Sequence, residues 1–416
     1  MMNSSPLSAI IAAQKQGEAR GITSICSANP FVLEAAFAHA KAHDLPLLIE
    51  STCNQVNQYG GYTGQTPSDF MKVLRQLADR HQFPLHRLVL GGDHLGPNPW
   101  RSETVDQALQ KSRVLVRDSI RAGYTKIHLE TSMKCADDAR LRPLPTEVIA
   151  ARSAVLALAA EETFRDLQES GPWPLYVIGT EVPVPGGVED EEEGAPEVTT
   201  PQAAEETISA TQEAFQKLGL EAAWERVIAV VVQPGVEYGN DSLYDYDSAA
   251  AASLSRFIED EEALVFEAHS TDYQTKEALG ELVRDHFAIL KVGPALTFAL
   301  REAVFALAAI EEAWLNGRAR TSLSDIRRVV DQAMLQNPIY WQPYYPGNER
   351  QQHYARQYSL SDRIRYYWPD PAVQRALRQL LKNLSPDPLP LPLLLSLIHI
   401  SEPTRPPSTS RMPSSA

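Results

Sequence analysis

The stretch Arg87-Leu-Val-Leu-Gly-Gly-Asp93-His94-Leu-Gly96-Pro-Asn98-Pro-Trp100 decides the fold. Its run Leu88-Val89-Leu90 is short, apolar and followed by glycines, which predicts a strand covered on both faces. We expect this strand to end at Gly91-Gly92, so that Asp93 and His94 stand at its carboxyl end. A carboxylate and an imidazole in that position indicate a functional site. The alternative is a helix-capping Asp beside a hydrogen-bonded structural His.

The same pattern of short apolar strand, polar residues and helix occurs eight times along the chain. Eight such units predict an α/β fold of the (β/α)8 TIM barrel type, since alternating strands and helices form parallel sheets. An open doubly wound sheet is the alternative, and it is disfavoured because no G-x-G-x-x-G follows the first strand. The predicted strands are Gly21–Cys26, Leu47–Ile49, Leu88–Leu90, Lys126–Leu129, Leu175–Ile178, Val227–Val232, Leu264–Phe266 and Phe287–Leu290.

The sequence divides into three regions. We predict a barrel over residues 1–318, a helical extension over 319–384 and a tail over 385–416. The extension carries aromatic residues such as Tyr344, Tyr345 and Trp368, which we expect to pack onto the barrel or onto another subunit of an oligomer. The tail is rich in Pro, Leu and Ser and has no periodicity, so we predict that it is disordered and not native to this fold.

Composition excludes several classes of partner. The chain has 416 residues and a formal net charge of −15, which argues against binding to nucleic acid or to anionic membranes. Its three cysteines cannot form a disulfide framework. Neither a signal peptide pattern nor an apolar run long enough to cross a bilayer occurs. These features predict a soluble cytoplasmic protein.

The carboxyl ends of all strands in a barrel meet at one face, where chemistry takes place. Imidazoles and carboxylates at that face suit a divalent metal such as Zn²⁺. The best ligand set is His94, Glu181 and His269, with Asp93 placed to move a proton. The alternative is a hydrogen-bonded polar network without metal, and His128 is interpreted as a structural residue inside the fourth strand. The residues expected to bind substrate are Asn29, Ser51, Glu130, Ser132 and Lys291.

Five stretches carry a family resemblance: Asn29–Gly64, Gly91–His94, Gly179–Gly187, Glu267–Gln274 and Lys291–Glu302. They resemble the D-tagatose-1,6-bisphosphate aldolase subunits of the GatZ/KbaZ type, over about residues 5–384. The resemblance implies an aldolase-type barrel. It also implies a non-catalytic, accessory subunit that supports the activity and stability of a separate class II aldolase subunit, in the breakdown of galactitol or N-acetylgalactosamine through tagatose 6-phosphate.

This family is in turn similar to the zinc-dependent class II aldolases. Asp93 and His94 match the pair that supplies a proton-transfer carboxylate and a zinc ligand there. His269 falls where a zinc-binding His follows the seventh strand, and Glu181 falls near where another His ligand would stand.

The loops that hold phosphate in class II aldolases are altered in this chain. The glycine-containing loop after the seventh strand is replaced by Ser270-Thr271-Asp272-Tyr273, whose carboxylate would repel phosphate. After the eighth strand stands Gly293-Pro294, and Pro has no N–H to offer. The metal corner is thus kept while the grip on a bisphosphate is weakened.

Two other functions remain open at this point. The chain could act alone as a metal-dependent lyase or as a ketose 4-epimerase that works by retro-aldol cleavage, since Asp93, His94 and His269 are kept. A sugar-phosphate kinase is disfavoured because no G-x-x-x-x-G-K-[ST] occurs in the sequence.

Overall fold

Eight parallel strands close into a barrel, as the sequence predicts. The computed structural model describes residues 5–139, 143–167, 171–180, 196–318 and 322–397. Each strand pairs with the next along the chain, and the eighth pairs with the first. The strands are β1 Ile22–Cys26, β2 Leu47–Thr52, β3 Leu88–Leu95, β4 Lys126–Leu129, β5 Leu175–Ile178, β6 Val227–Val232, β7 Val265–Ala268 and β8 Phe287–Val292.

Helices follow the strands on the outside of the barrel, and many begin with a capping side chain. Thr66, for example, forms a capping box with Asp69 at the start of the third helix. The helices are α1 Pro6–Lys15, α2 Pro30–Ala42, α3 Pro67–His81, α4 Val105–Arg121, α5 Thr146–Asp166, α6 Pro201–Lys217, α7 Glu221–Trp224, α8 Ser248–Glu259, α9 Lys276–Arg284, α10 Pro294–Leu315, α11 Ile326–Gln336, α12 Glu349–Tyr358, α13 Pro371–Leu384 and α14 Leu391–Leu397. A two-stranded hairpin, Glu237–Tyr238 with Leu243–Tyr244, follows β6.

The barrel interior changes from apolar to polar along the strands. Near the amino ends, the inward side chains form an apolar layer with Leu7, Ile10 and Ile11 of α1, and its strand members include Leu48, Val89, Val265 and Ile289. Because successive strand residues alternate between the two faces, the residues two positions further on also point inward. Several of these are charged, namely Glu50 on β2, Glu267 on β7 and Lys291 on β8. The fold therefore places its polar residues at the carboxyl half of the barrel.

Strand β3 does not stop at the glycines, contrary to the sequence prediction. It continues to Leu95 and contains Asp93 and His94. Its register against β4 shifts between Gly92 and Leu95, and His94 has a φ of 49°. A bulge of this kind turns neighbouring side chains toward the same side of a sheet. It allows two consecutive residues, Asp93 and His94, to reach the interior of the barrel.

The chain forms two compact units whose boundaries differ from the predicted one at residue 318. One unit contains Met1–Phe298 and Pro338–Pro369, and the other contains Ala299–Asn337 and Asp370–Ala416. The helical pattern of the extension does not reveal that residues 338–369 belong with the barrel. In the tail, where we expected no regular structure, residues Leu391–Leu397 form α14, and residues 398–416 lie outside the described part of the chain. No described helix is both long and apolar enough to cross a membrane.

Residues 338–369, which we call the strap, are tied to two loops at the carboxyl end of the barrel. The Leu360 N–H donates to the Asn240 carbonyl at 2.9 Å, and the Tyr273 hydroxyl donates to the Leu360 carbonyl at 2.6 Å. Asn240 also accepts from Ser359 at 2.9 Å. Aromatic packing adds to these bonds, since the rings of Tyr62 and Tyr366 lie 4.7 Å apart. The aromatic residues of the strap thus pack onto the barrel unit, one of the two packing partners that we expected.

Candidate functional site

Three histidines meet inside the carboxyl half of the barrel. His94 lies on β3, His128 on β4 and His269 directly after β7, and all three are buried. Their ring centroids are 5.1, 5.0 and 5.2 Å apart in the three pairs. Burial lowers the pKa of His94 and that of His269 well below the ordinary value. These two rings are therefore neutral at neutral pH, which is the form that binds metals.

Asp93 orients the ring of His128. Its Oδ1 lies 2.8 Å from His128 Nδ1. Burial would raise the pKa of Asp93, but the Lys291 ammonium and the hydrogen bond with His128 hold that pKa well below its usual range. An ionised carboxylate only accepts, so His128 Nδ1 donates the hydrogen bond. The His94 N–H also points at this nitrogen, at 3.2 Å, but the shorter, charge-assisted contact decides the tautomer.

In the neutral form of His128, the opposite nitrogen, Nε2, carries a lone pair that can bind a metal. Nε2 is buried and has no hydrogen-bond partner among the described residues. A metal-binding His commonly donates its other ring nitrogen to a carboxylate, as His128 does to Asp93. The arrangement therefore fits a metal ligand better than a purely structural histidine.

Four buried side chains could hold one divalent metal ion, namely Asp93, His128, Glu267 and His269. Each offers one ligand atom, and these atoms lie within 4.8 Å of one another. His269 Nε2 contacts Glu267 Oε1 at 3.1 Å. Two imidazoles and two carboxylates are a donor set that suits Zn²⁺ among other divalent ions.

This group differs from the predicted ligand set of His94, Glu181 and His269. His128, expected to be structural, belongs to the group, while Glu181 lies outside the described residues. His94 is close by, but its Nε2 lies 3.3 Å from the Lys291 ammonium and accepts from it. That contact engages His94 Nε2, while His94 Nδ1 is buried without a hydrogen-bond partner among the described residues. His94 therefore stays a predicted ligand beside this group.

Lys291 supplies a positive charge beside the histidines. Its ammonium forms a buried ion pair with Asp93. Burial lowers the pKa of Lys291, but the attraction of Asp93 and of other carboxylates outweighs it and raises the pKa above the ordinary value. Lys291 is therefore charged and keeps Asp93 ionised. The sequence predicted Lys291 as a substrate-binding residue, and the structure places it at the wall of the cavity described below.

A second buried ion network lies beneath the histidines. The Lys126 ammonium is 2.6 Å from Glu50 Oε1 and 2.7 Å from Glu267 Oε2, and all three side chains are fully buried. Ser24 also donates to Glu50, at 2.6 Å. The network fixes Glu267, which in turn contacts His269. The sequence analysis missed Lys126, although its position two residues before His128 in an apolar strand signals that both face inward.

Four residues predicted to bind substrate lie elsewhere, and none of them lines the cavity. Asn29 caps α2 by accepting from the Phe31 N–H. Ser51 faces away from the barrel interior and contacts the Tyr124 hydroxyl at 2.8 Å, because its neighbour Glu50 takes the inward position. Ser132 donates through its N–H to Glu130 at 2.7 Å. A polar residue at a strand end thus satisfies local backbone and side-chain groups as readily as a ligand.

A cavity of about 100 Å³ opens above the histidines. One part of its wall comes from the strand ends and includes Asp93, His94, His269 and Lys291. Another part comes from the loops and from the strap, and includes Tyr62, Tyr238, Asp272, Arg365 and Tyr366. Asp93 and His269 of the metal group therefore border the same space as the strap.

Asp272 occupies the start of α10. Its Oδ1 accepts from the N–H of Gly293 at 3.0 Å and from that of Ala295 at 2.8 Å. These two N–H groups flank Pro294, which has none. Burial raises the pKa of Asp272 to about 6. The helix end that could bind an external anion is thus bound by a carboxylate of the chain itself.

A family model for the D-tagatose-1,6-bisphosphate aldolase subunit, GatZ/KbaZ-like, matches residues 7–406. The chain belongs to the GatZ/KbaZ-like family. The match extends past residue 384, where we expected the resemblance to end, and so includes part of the predicted non-native tail. Members of this family are subunits of a tagatose-bisphosphate aldolase.

The chain is similar to solved structures of other proteins. A probable tagatose 6 phosphate kinase from Sinorhizobium meliloti is 45% identical, with 91% of each chain covered and a TM-score of 0.81. A fructose-bisphosphate aldolase from Campylobacter jejuni is 13% identical, with 91% of each chain covered and a TM-score of 0.42. A fructuronate-tagaturonate epimerase from Cohnella laeviribosi is 12% identical, covers 88% of this chain and 72% of its own, and has a TM-score of 0.46.

Proposed function

We propose that this GatZ/KbaZ-like chain is a non-catalytic, accessory subunit of a D-tagatose-1,6-bisphosphate aldolase. Its partner is a separate, catalytic class II aldolase subunit, whose full activity and stability need this chain. The complex serves the breakdown of galactitol or N-acetylgalactosamine through tagatose 6-phosphate. The described cysteines are all free thiols, which suits the reducing cytoplasm.

The position of Asp272 carries the proposal. A bisphosphate aldolase must hold a phosphate at each end of its substrate, and backbone N–H groups at a helix start are a common way to do so. Here those of Gly293 and Ala295 already bind the Asp272 carboxylate. A phosphate brought to this helix end would meet a buried carboxylate instead of free donors. The chain is therefore poorly equipped to bind and cleave the bisphosphate by itself.

The test is an aldolase assay with purified components. The catalytic subunit is measured with tagatose bisphosphate in the absence and in the presence of this chain, and this chain is measured alone. We expect the chain alone to be inactive, and expect it to co-purify with the catalytic subunit and to increase its activity and thermal stability. Robust turnover by the isolated chain would overturn the accessory role.

A near-isosteric variant distinguishes an accessory role of this chain from a catalytic one. Asp93→Asn removes the negative charge beside His128 and Lys291 while nearly keeping the shape of the side chain. If the chain only supports its partner, this variant should still activate the catalytic subunit as well as the wild type, provided that it unfolds at a similar temperature. An Asp93→Asn variant that folds and binds the partner but fails to activate it would point to chemistry in this barrel.

The metal group favours a second candidate, a stand-alone metal-dependent lyase or ketose 4-epimerase. Asp93, His128, Glu267 and His269 would hold the ion, which we propose to be Zn²⁺. A bound Zn²⁺ supplies Lewis-acid polarisation of a substrate carbonyl. Asp93 stays ionised next to Lys291, which is the form in which a carboxylate binds a metal. Turnover of a free ketose by the isolated chain would favour this candidate.

The Sinorhizobium meliloti relative is described as a probable tagatose 6 phosphate kinase. That activity is disfavoured for this chain, because its sequence has no G-x-x-x-x-G-K-[ST] phosphate loop. An ATP-consumption assay with tagatose 6-phosphate should therefore show no turnover.

A further inference from the structure

Arg365 is a cation that the strap holds at the cavity. Its Nη1 donates to the carbonyls of Ser361 and Asp362, and its Nη2 donates to the Tyr366 hydroxyl at 3.2 Å. The guanidinium also lies over the Tyr366 ring, with its carbon 4.6 Å from the ring centroid. These contacts fix the orientation of a side chain that is only partly buried and that lines the cavity.

Two donors of this guanidinium are left over. An arginine has five N–H groups, and the three hydrogen bonds above use both of those on Nη1 and one on Nη2. That leaves Nε–H and one Nη2–H. Nε and Nη2 form one edge of the planar guanidinium, and paired N–H groups on such an edge match the two oxygens of a carboxylate or a phosphate. Within the described residues, no carboxylate lies within 4 Å of Arg365 to form an ion pair. Asp362 and Asp272 attract this charge from further away, and neither forms an ion pair with it.

The surroundings of Arg365 suit one end of an open-chain sugar. The rings of Tyr62 and Tyr238 line the same cavity, and aromatic faces beside polar groups are typical of small-molecule pockets. The cavity also reaches Lys291 and His269, of which His269 belongs to the proposed metal group. Asp272 closes the alternative position for an anion at the start of α10.

We propose that Arg365 forms a binding site for the single anionic end of an open-chain ketose, whose other end lies at the histidines. The anionic group is a phosphate or a carboxylate, since both present paired oxygens to the fork. The inference rests on the proposed function only for the class of sugar, and it adds that this subunit binds a ligand of its own. A ketose with one charged end fits this cavity better than a ketose bisphosphate does.

The test measures binding directly by isothermal titration calorimetry, without partner or turnover. The probes are D-tagatose, D-tagatose 6-phosphate and D-tagaturonate, which are neutral, phosphorylated and carboxylated ketoses. The wild type should bind at least one anionic probe about 10- to 100-fold more tightly than D-tagatose, as a charge-assisted pair predicts. Comparison of the two anionic probes identifies the preferred group.

Variants locate the effect at Arg365. Arg365→Met should remove the preference for the anionic probe and leave the affinity for D-tagatose within about twofold. Arg365→Lys keeps the charge but lacks the planar guanidinium, so it should retain part of the preference for the anionic probe. This variant replaces Arg365→Met in the test if Arg365→Met fails to fold. Arg350→Gln removes an exposed arginine elsewhere on the strap and should change nothing.

Two results would overturn this inference. One is equal affinity of the wild type for the neutral and both anionic probes. The other is an Arg365 variant that loses D-tagatose and the anionic probe in equal proportion, which would show that Arg365 only supports the strap. Neither result bears on activation of the catalytic subunit, so the accessory role is decided separately.

Discussion

At the scale of single residues, the charge of Lys126 balances two buried carboxylates, Glu50 and Glu267. Removing one member of a buried ion network leaves the others uncompensated. We expect Lys126→Met to lower the free energy of unfolding by about 3–5 kcal/mol, as measured by denaturant titration. Lys72→Met is the control, because Lys72 pairs with Asp69 at the surface and should cost less than about 1 kcal/mol. Equal losses in the two variants would contradict this view of the network.

The sequence predicted those residues of the site that are polar and interrupt an apolar run. Asp93, His94, His269 and Lys291 all border the cavity, because a polar residue among inward apolar ones is costly without a role. The sequence did not predict Lys126 as part of the site, because this residue stands at the beginning of its strand, where a charged side chain is usually exposed. The role of His128 could not be predicted, since a single His within a strand does not show whether its second nitrogen finds a partner.

At the scale of elements, the close approach of β3 to β4 depends on Gly96. A Cβ at this position would lie 1.6 Å from the Glu130 carbonyl oxygen, and backbone cannot move aside as a flexible side chain can. We expect Gly96→Ala to destabilise the protein by about 3 kcal/mol, near the upper end for overpacking, or to prevent soluble expression. Gly171→Ala is the matched control, because no atom of the described residues lies within 4 Å of its added Cβ. A Gly96→Ala protein with wild-type thermal stability would refute the close approach.

Glu237, in the hairpin after β6, should make the stability of the protein depend on pH. Burial raises the pKa of Glu237 from the ordinary 4.5 to about 7. Between these two values the native state keeps a proton that the unfolded state has lost, so stability falls as pH rises from about 4.5 to about 7. We expect the wild type to lose up to about 3 kcal/mol across this window relative to Glu237→Gln, which cannot ionise. Parallel curves of unfolding free energy against pH for the two proteins would count against the raised pKa.

The sequence predicted the existence and order of all eight strands but ended four of them early. β2, β3, β7 and β8 continue through Glu50, Asp93, Glu267 and Lys291, where a polar residue was taken as the end of an apolar run. In a filled barrel the inward face becomes polar at the site while the backbone pairing continues. Hydrophobic pattern alone therefore places strand centres well and their functional ends poorly.

At the scale of the whole molecule, a bound metal should stabilise the fold by mass action. Zn²⁺ at about 100 times its dissociation constant adds about 2.7 kcal/mol to the free energy of unfolding if it binds only the native state. We expect this gain for the wild type and for His86→Ala, whose histidine is exposed. His128→Ala should show no gain and no bound metal by elemental analysis. The same gain in both variants would mean that zinc binds at the surface.

The division of the molecule into units was the least predictable feature. Helical periodicity showed that residues 319–384 contain helices, and α11, α12 and α13 lie there. It could not show that the strap returns to the barrel unit while its flanking segments form the other one. That choice depends on long-range contacts such as Tyr273 with Leu360, which leave no local periodic signal.

The Asp272 carboxylate at the start of α10 also makes the protein a starting point for engineering. Asp272 supplies the negative charge at this helix end. Shortening its side chain should therefore leave the N–H groups there free to bind an external anion. Asp272→Ala frees the N–H groups of Gly293 and Ala295 at the start of a 22-residue helix. We expect this variant to bind inorganic phosphate more tightly than the wild type, as measured by calorimetry. Such a gain would mean that a single carboxylate keeps this barrel from recognising a second phosphate.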